Sequence, residues 1–144
     1  MLDPFGTAAD RFRLPATGPT DDMHPGWPES TPFVRLPASA VFPSGARMRL
    51  RPLLRSDGHE WRHQRIEDES FLRSVEPTQA APWAAAHSQQ AWWNHLMYLR
   101  TAAREALVVP LVIEVEGQFV GQITLGNIQH GSIRDCWIGY WVYS

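Results

Sequence analysis

Lysine is absent from this chain: all 13 basic residues are arginine, against 15 acidic ones, for a formal net charge of −2. Phosphate backbones call for a clustered positive excess, so nucleic acid is not an expected partner. Cysteine is nearly absent too. The lone Cys136 excludes an internal disulfide and fits a reducing, cytoplasmic compartment. No apolar run approaches the roughly 18 residues of a membrane span. The longest, around Ala106–Ile113, contains Pro110 and leads into Glu114. The N-terminal stretch holds no charged segment followed by an apolar one, so no secretion signal is expected. Phosphate loops of the G-x-G-x-x-G or Walker type are missing, as is a G-x-S-x-G nucleophile elbow.

Proline, by contrast, is concentrated. Eight of the 12 prolines fall at or before Pro43. So dense a stretch builds neither helix nor central strand. Its apolar residues, Phe5, Phe12, Trp27, Phe33, Val41 and Phe42, follow neither a 3.6 nor a 2 period. Residues 1–45 are therefore expected to be a disordered Pro-rich extension, with a peptide that docks through Phe and Trp as the alternative. Residues 46–144 form the folding unit, about 100 residues and enough for one small core.

Within that unit Arg47–Leu53 alternates charged and apolar residues, as a half-buried edge strand does. Ser56 or Asp57 can cap a helix running to about Leu72, and Pro77 and Pro82 keep the next stretch irregular. Ser88 can cap a second helix whose Trp92, Leu96, Leu99 and Ala103 make one apolar stripe. Leu111–Val115 and Phe119–Leu125 read as a hairpin turned at Gly117. Ile133–Tyr143 is apolar on both faces, which predicts a central strand covered on both sides. The sequence stops one residue later, as though inside a domain, and a strand left at an open edge predicts aggregation.

His59-Glu60-Trp61-Arg62-His63 spells the H-E-x-x-H pattern of zinc hydrolases, with i and i+4 histidines on one helix face. Arg62 sets a fixed positive charge beside that site, no second histidine motif follows, and the third ligand lacks a natural source. The expectation is a polar helix face and no metal. Cys136, inside a strand expected to be buried, reads as a small core residue. His130 and Asp135, beside a turn, read as solvated. The seven tryptophans read as core or pocket lining.

Three stretches carry a resemblance. Arg49-Leu50-Arg51-Pro52-Leu53 followed by Asp57, then Ile113-Glu114-Val115-Glu116-Gly117-Gln118-Phe119-Val120-Gly121-Gln122-Ile123, then Asn127-Ile128 to Gly131 and Ile138-Gly139-Tyr140-Trp141-Val142 resemble the RimJ/RimL branch of the GNAT (GCN5-related) N-acetyltransferases. The likeness covers about residues 47 to 143 and is strongest toward the end. It implies a mixed α/β sheet, the first half of an acyl-CoA N-acyltransferase fold in the order β-α-α-β-β-β. It also implies transfer of an acetyl group from acetyl-CoA to a protein N-terminal α-amine, of the ribosomal-protein-alanine type, or to another primary amine. In that family acetyl-CoA lies between the fourth and fifth strands, where an exposed strand pairs with the pantetheine arm; here the corresponding residues are Tyr140, Trp141 and Val142, and a bulge is expected there. The acceptor side falls to Glu76, Trp83 and Asn127, with Val75 where several relatives carry Trp.

The family's pyrophosphate loop and later elements have no counterpart in these residues, which predicts an incomplete cleft and no measurable acetyl-CoA binding by the chain alone. Catalytic acid and base stay unassigned. A complementary C-terminal half or another copy could supply what is missing. The alternatives are a non-catalytic fragment that binds a partner through its open sheet edge and, remotely, a zinc hydrolase using His59, Glu60 and His63.

Overall fold

A computed structural model of the chain describes residues 29–144. The expected extension up to residue 28 lies outside them. Five strands form one antiparallel sheet in chain order: β1 (Val34–Leu36), β2 (Ala46–Pro52), β3 (Val109–Val115), β4 (Gln118–His130) and β5 (Arg134–Val142). Four helices lie between β2 and β3: α1 (Gly58–Glu67), α2 (Glu69–Val75), α3 (Trp83–Ala86) and α4 (Gln89–Arg104). This is the mixed α/β half-fold that the resemblance implied.

The sheet begins before the proline-rich stretch ends. β1 pairs Val34 with Met48 at the sheet's edge, where a Pro-flanked strand is tolerated. Phe33 holds it there, with the Arg47 and Arg49 guanidinium carbons 5.1 and 4.8 Å from its ring centroid. Pro110 sits inside β3 without breaking the ladder, because β2 ends at the Pro52–Leu111 pair and asks no donor of Pro110.

The single helix expected up to Leu72 is two. Asp68 leaves helical geometry between α1 and α2, and its carboxylate accepts from the Ser144 backbone N–H at 2.9 Å. The start of α4 is as expected: Ser88 accepts from the Ala91 N–H, and Trp92, Leu96, Leu99 and Ala103 are buried. These four meet Trp61 of α1 and Val112 and Phe119 of the sheet in the core.

β5 departs most from expectation. It is an edge strand, not a central one, among the described residues, and Ile138, Tyr140 and Val142 are exposed. Only its alternate face meets the core, through Trp141 packed on Phe119. Cys136 is accordingly exposed rather than a core residue. The expected bulge at Tyr140–Val142 is also displaced: pairing runs without a shift from Gly121–Val142 to Gly126–Trp137, and the irregularity falls between Gly126 and Gln129.

Candidate functional site

Two places bring polar and aromatic side chains together. The first centres on Arg65, which the sequence did not single out. Its guanidinium carbon lies 5.4, 5.8 and 5.2 Å from the ring centroids of Trp61, Trp83 and Trp141. One guanidinium nitrogen donates to Glu76 Oε2 at 2.5 Å, and the Arg65 carbonyl accepts from Trp83 Nε1 at 2.8 Å. Two of the three expected acceptor-side residues, Glu76 and Trp83, therefore converge on one buried cation, and that cation reaches Trp141 of the expected coenzyme strand. Glu76 is engaged by Arg65 rather than free to meet a ligand. The clue in the sequence was the i, i+4 pair Trp61 and Arg65 on one helix face.

Tyr140, Trp141 and Val142 lie on β5 with no strand on their outer side among the described residues. An unpaired edge presents backbone donors and acceptors that an extended ligand can join as an added strand. Gly121 sits opposite: a Cβ there would come within 2.2 Å of the Trp141 carbonyl oxygen, so glycine lets β4 lie close under this edge.

The third acceptor-side candidate, Asn127, lies elsewhere. It adopts φ 50° in the irregular stretch of β4 and lines a cavity with His95, Tyr98, Thr124 and Trp137. Its neighbours are tethered to the turn after α4. Ile128 donates to the Leu107 carbonyl, and His130 Nε2 lies 2.8 Å from the Ala106 carbonyl. His130 is thus bound to backbone rather than merely solvated, and Asp135 accepts from the Cys136 N–H. His95 was missed although it is a polar residue on the apolar stripe of α4. Burial lowers its pKa to about 4, against the opposing effect of its contact with Gln122.

The H-E-x-x-H residues are otherwise engaged. His59 Nδ1 lies 3.0 Å from Glu60 Oε1, His63 Nδ1 lies 3.6 Å from Glu67, and Arg62 donates to the His87 carbonyl. Among the described residues no group of three or more His, Cys, Asp or Glu side chains is placed to hold a metal ion. No helix among them is long and apolar enough to cross a membrane. Val75 is exposed at the end of α2.

No protein-family model and no curated protein sequence matches the chain. Solved structures do. RimJ from Mycobacterium smegmatis, in complex with CoA-disulfide, is 39% identical over 85% of this chain, with a TM-score of 0.75. The ribosomal-protein-S5-alanine acetyltransferase from Vibrio fischeri and RimL, a ribosomal L7/L12 α-N-protein acetyltransferase in complex with coenzyme A, are each 16% identical over 76% of the chain, with TM-scores of 0.56. Those two share the fold. The chain spans about half the length of these proteins, covering 55% of the first two and 56% of the third. The chain is thus similar in sequence to RimJ, shares the fold of all three proteins, and matches the N-terminal half of a GNAT acyltransferase fold.

Proposed function

We propose that these residues supply the acceptor wall and the pantetheine-pairing strand of an N-acetyltransferase that moves an acetyl group from acetyl-CoA to a protein N-terminal α-amine. The observation that carries this reading is the free β5 edge at Tyr140–Val142, in a chain 39% identical to a RimJ whose structure holds a CoA derivative. The described residues fit such a guest: extended backbone for an extended arm, and an apolar rim of Tyr140 and Val142.

In the reaction the neutral amine nitrogen attacks the thioester carbonyl carbon. A C–N bond forms, the C–S bond breaks, sulfur leaves with the electron pair, and the amine loses one proton as the thiol gains one. Catalysis of this kind rests on holding the two reactants at the right distance and on removing the amine's proton. This chain's part is positioning. Arg65 fixes Trp141 against α1, and the close approach at Gly121 fixes the level of the β5 edge.

No Gly-rich phosphate loop occurs in the sequence, so affinity here rests on strand pairing alone. Calorimetry of the chain with micromolar acetyl-CoA is expected to be silent. Hydrogen exchange at high acetyl-CoA concentration is expected to slow at the amides of residues 139–142. Unchanged exchange there would overturn the reading. A second reading, a non-catalytic chain that binds a protein partner, is favoured by the exposed Ile138, Tyr140 and Val142. It predicts capture of a partner by β5 with no response to acetyl-CoA.

A further inference from the structure

The histidines of His59-Glu60-Trp61-Arg62-His63 are engaged through Nδ1 alone. α1 turns Trp61, Gln64 and Arg65 inward, which leaves His59 and His63, one helical turn apart, on its outer face. Their side chains are 79% and 48% exposed. The two ring centroids stand 6.1 Å apart with their planes at 68°. His59 Nδ1 lies 3.0 Å from Glu60 Oε1, and an ionised carboxylate can only accept. Nδ1 of His59 therefore carries the proton, and in the neutral ring Nε2 keeps a lone pair. His63 Nδ1 faces Glu67 Oε1 at 3.6 Å, which is ion-pair range rather than a hydrogen bond and favours the same tautomer. Glu67 is itself held, because its Oε2 accepts from the Tyr143 hydroxyl. No hydrogen bond to either Nε2 occurs among the described residues.

Metal-binding histidines are arranged in this way: one ring nitrogen donates to a carboxylate, and the other takes the ion. In the sequence Arg62 looked like a competing charge. In the fold its Nε donates to the His87 carbonyl and its Nη1 to Gln89 Oε1, so the guanidinium is committed to the turn between α3 and α4. Two imidazoles backed by two carboxylates remain at the helix surface. Such a set suits a borderline divalent ion such as zinc, nickel or copper. Imidazoles on one tetrahedral ion have centroids roughly 5 Å apart, given metal–nitrogen distances of about 2.0–2.1 Å. Small side-chain rotations of exposed residues close the remaining gap of about 1 Å. A third protein ligand is still lacking, since no group of three or more candidate ligands occurs among the described residues. Catalytic zinc sites use three, so hydrolysis is not the role of this pair.

We propose that His59 and His63 form a two-histidine site on α1 for a divalent transition-metal ion, bound through both Nε2 atoms with water in its other positions. Glu60 and Glu67 orient the rings and balance the charge of the ion. The site does not depend on the transferase reading. Bridging one turn of α1 ties down the helix that carries Trp61 and Arg65, so the bound ion stabilises the fold by mass action.

The full chain, stripped of metal with a chelator, is titrated with zinc chloride by calorimetry, with magnesium chloride as the comparison. One zinc ion per chain is expected to bind with micromolar affinity. Magnesium, which takes oxygen ligands, is expected not to compete. His59→Gln and His63→Gln are each expected to weaken zinc about ten-fold or more, and Glu60→Gln and Glu67→Gln to weaken it less. All four side chains lie on the solvent face of α1, so these variants read the site without disturbing the core. Zinc at roughly ten times its Kd is expected to raise Tm by about 5 °C in the parent chain and not in the double variant His59→Gln, His63→Gln. Nitrogen NMR of the imidazoles should show zinc moving the Nε2 resonances of both rings more than those of Nδ1. Zinc binding unchanged in the double variant, displacement of zinc by magnesium, or a response at Nδ1 in place of Nε2 would overturn the proposal.

Discussion

The guanidinium carbon of Arg65 lies 5.2 Å from the centroid of the Trp141 ring, so a buried cation joins α1 to the edge strand β5. The Arg65 side chain is 8% exposed and its partner Glu76 21%. Removing one member of so buried a pair strands the other, at a cost of about 3–5 kcal/mol. Arg65→Ala is therefore expected to lower unfolding free energy by about 3 kcal/mol in urea titrations. Adding Glu76→Gln should recover part of that loss, because no carboxylate is then left unpaired. A loss under about 1 kcal/mol would show that the tryptophans hold this junction without the cation.

How much of this could be read beforehand follows from how local each signal is. The Ser88 cap and the Trp92–Ala103 stripe lie within one helix, and their period is complete in the sequence. The Gly117 turn is equally local, with φ 80° as the hairpin requires. β5 misled because apolar residues on both faces were taken as burial on both faces. Trp141 packs against the core, whereas Trp137, Ile138, Tyr140 and Val142 stay exposed. Cys136 and the expected bulge went wrong with it. Arg65 was legible only in its i, i+4 spacing from Trp61: its other ring partners come from α3 and β5, and no pattern in one segment shows all three together. Of the residues the resemblance assigned to the acceptor side, Asn127 lies beside a cavity and Glu76 is taken up by Arg65, a pairing across segments that no local pattern shows.

Gly121 is a sharp test of the close approach of β4 to β5. A Cβ at this position would meet the Trp141 carbonyl oxygen at 2.2 Å and Val142 Cα at 3.0 Å, and backbone atoms cannot swing aside. Gly121→Ala should push β5 outward, costing about 1–3 kcal/mol as overpacking does. Hydrogen exchange should speed up along residues 139–142 while the α4 amides keep their protection. Unchanged β5 exchange would mean that the strands accommodate the methyl group.

Arg51 should not tolerate replacement by lysine. Its two terminal nitrogens donate to the two carboxylate oxygens of Asp57 at 2.8 and 2.9 Å, and its Nε donates to Glu114 at 2.5 Å. Burial alone would raise the Glu114 pKa, but the hydrogen bonds from Arg49 and Arg51 hold it below the ordinary carboxylate value. A lysine keeps the charge but loses the planar fork. Arg51→Lys is expected to cost about 2 kcal/mol in urea, with Asp57 no longer held and the turn before α1 loosened. A variant as stable as the parent chain would show that charge alone suffices.

Stability should fall as pH drops below about 6.5, and His95 is the reason. Burial lowers its folded pKa to about 4, with the Arg65 and His87 charges acting in the same direction and Gln122 and Glu76 opposing. An unfolded histidine titrates near 6.5. Between those values the unfolded chain binds a proton that the native chain refuses, so unfolding gains ground as pH drops. The contribution is fully present above about pH 6.5 and is lost progressively toward pH 4, on the order of 3 kcal/mol in all. His87, also lowered by burial, adds to the same slope. Glu114, held below the ordinary carboxylate value, loses its contribution only at still lower pH, so the window from about 6.5 to 4.5 reads the histidines. Urea titrations across that window should show stability declining in the parent chain and declining less in His95→Gln. If the two slopes coincide, the His95 ring takes its proton in the folded state as readily as in the unfolded one, and burial does not hold it neutral.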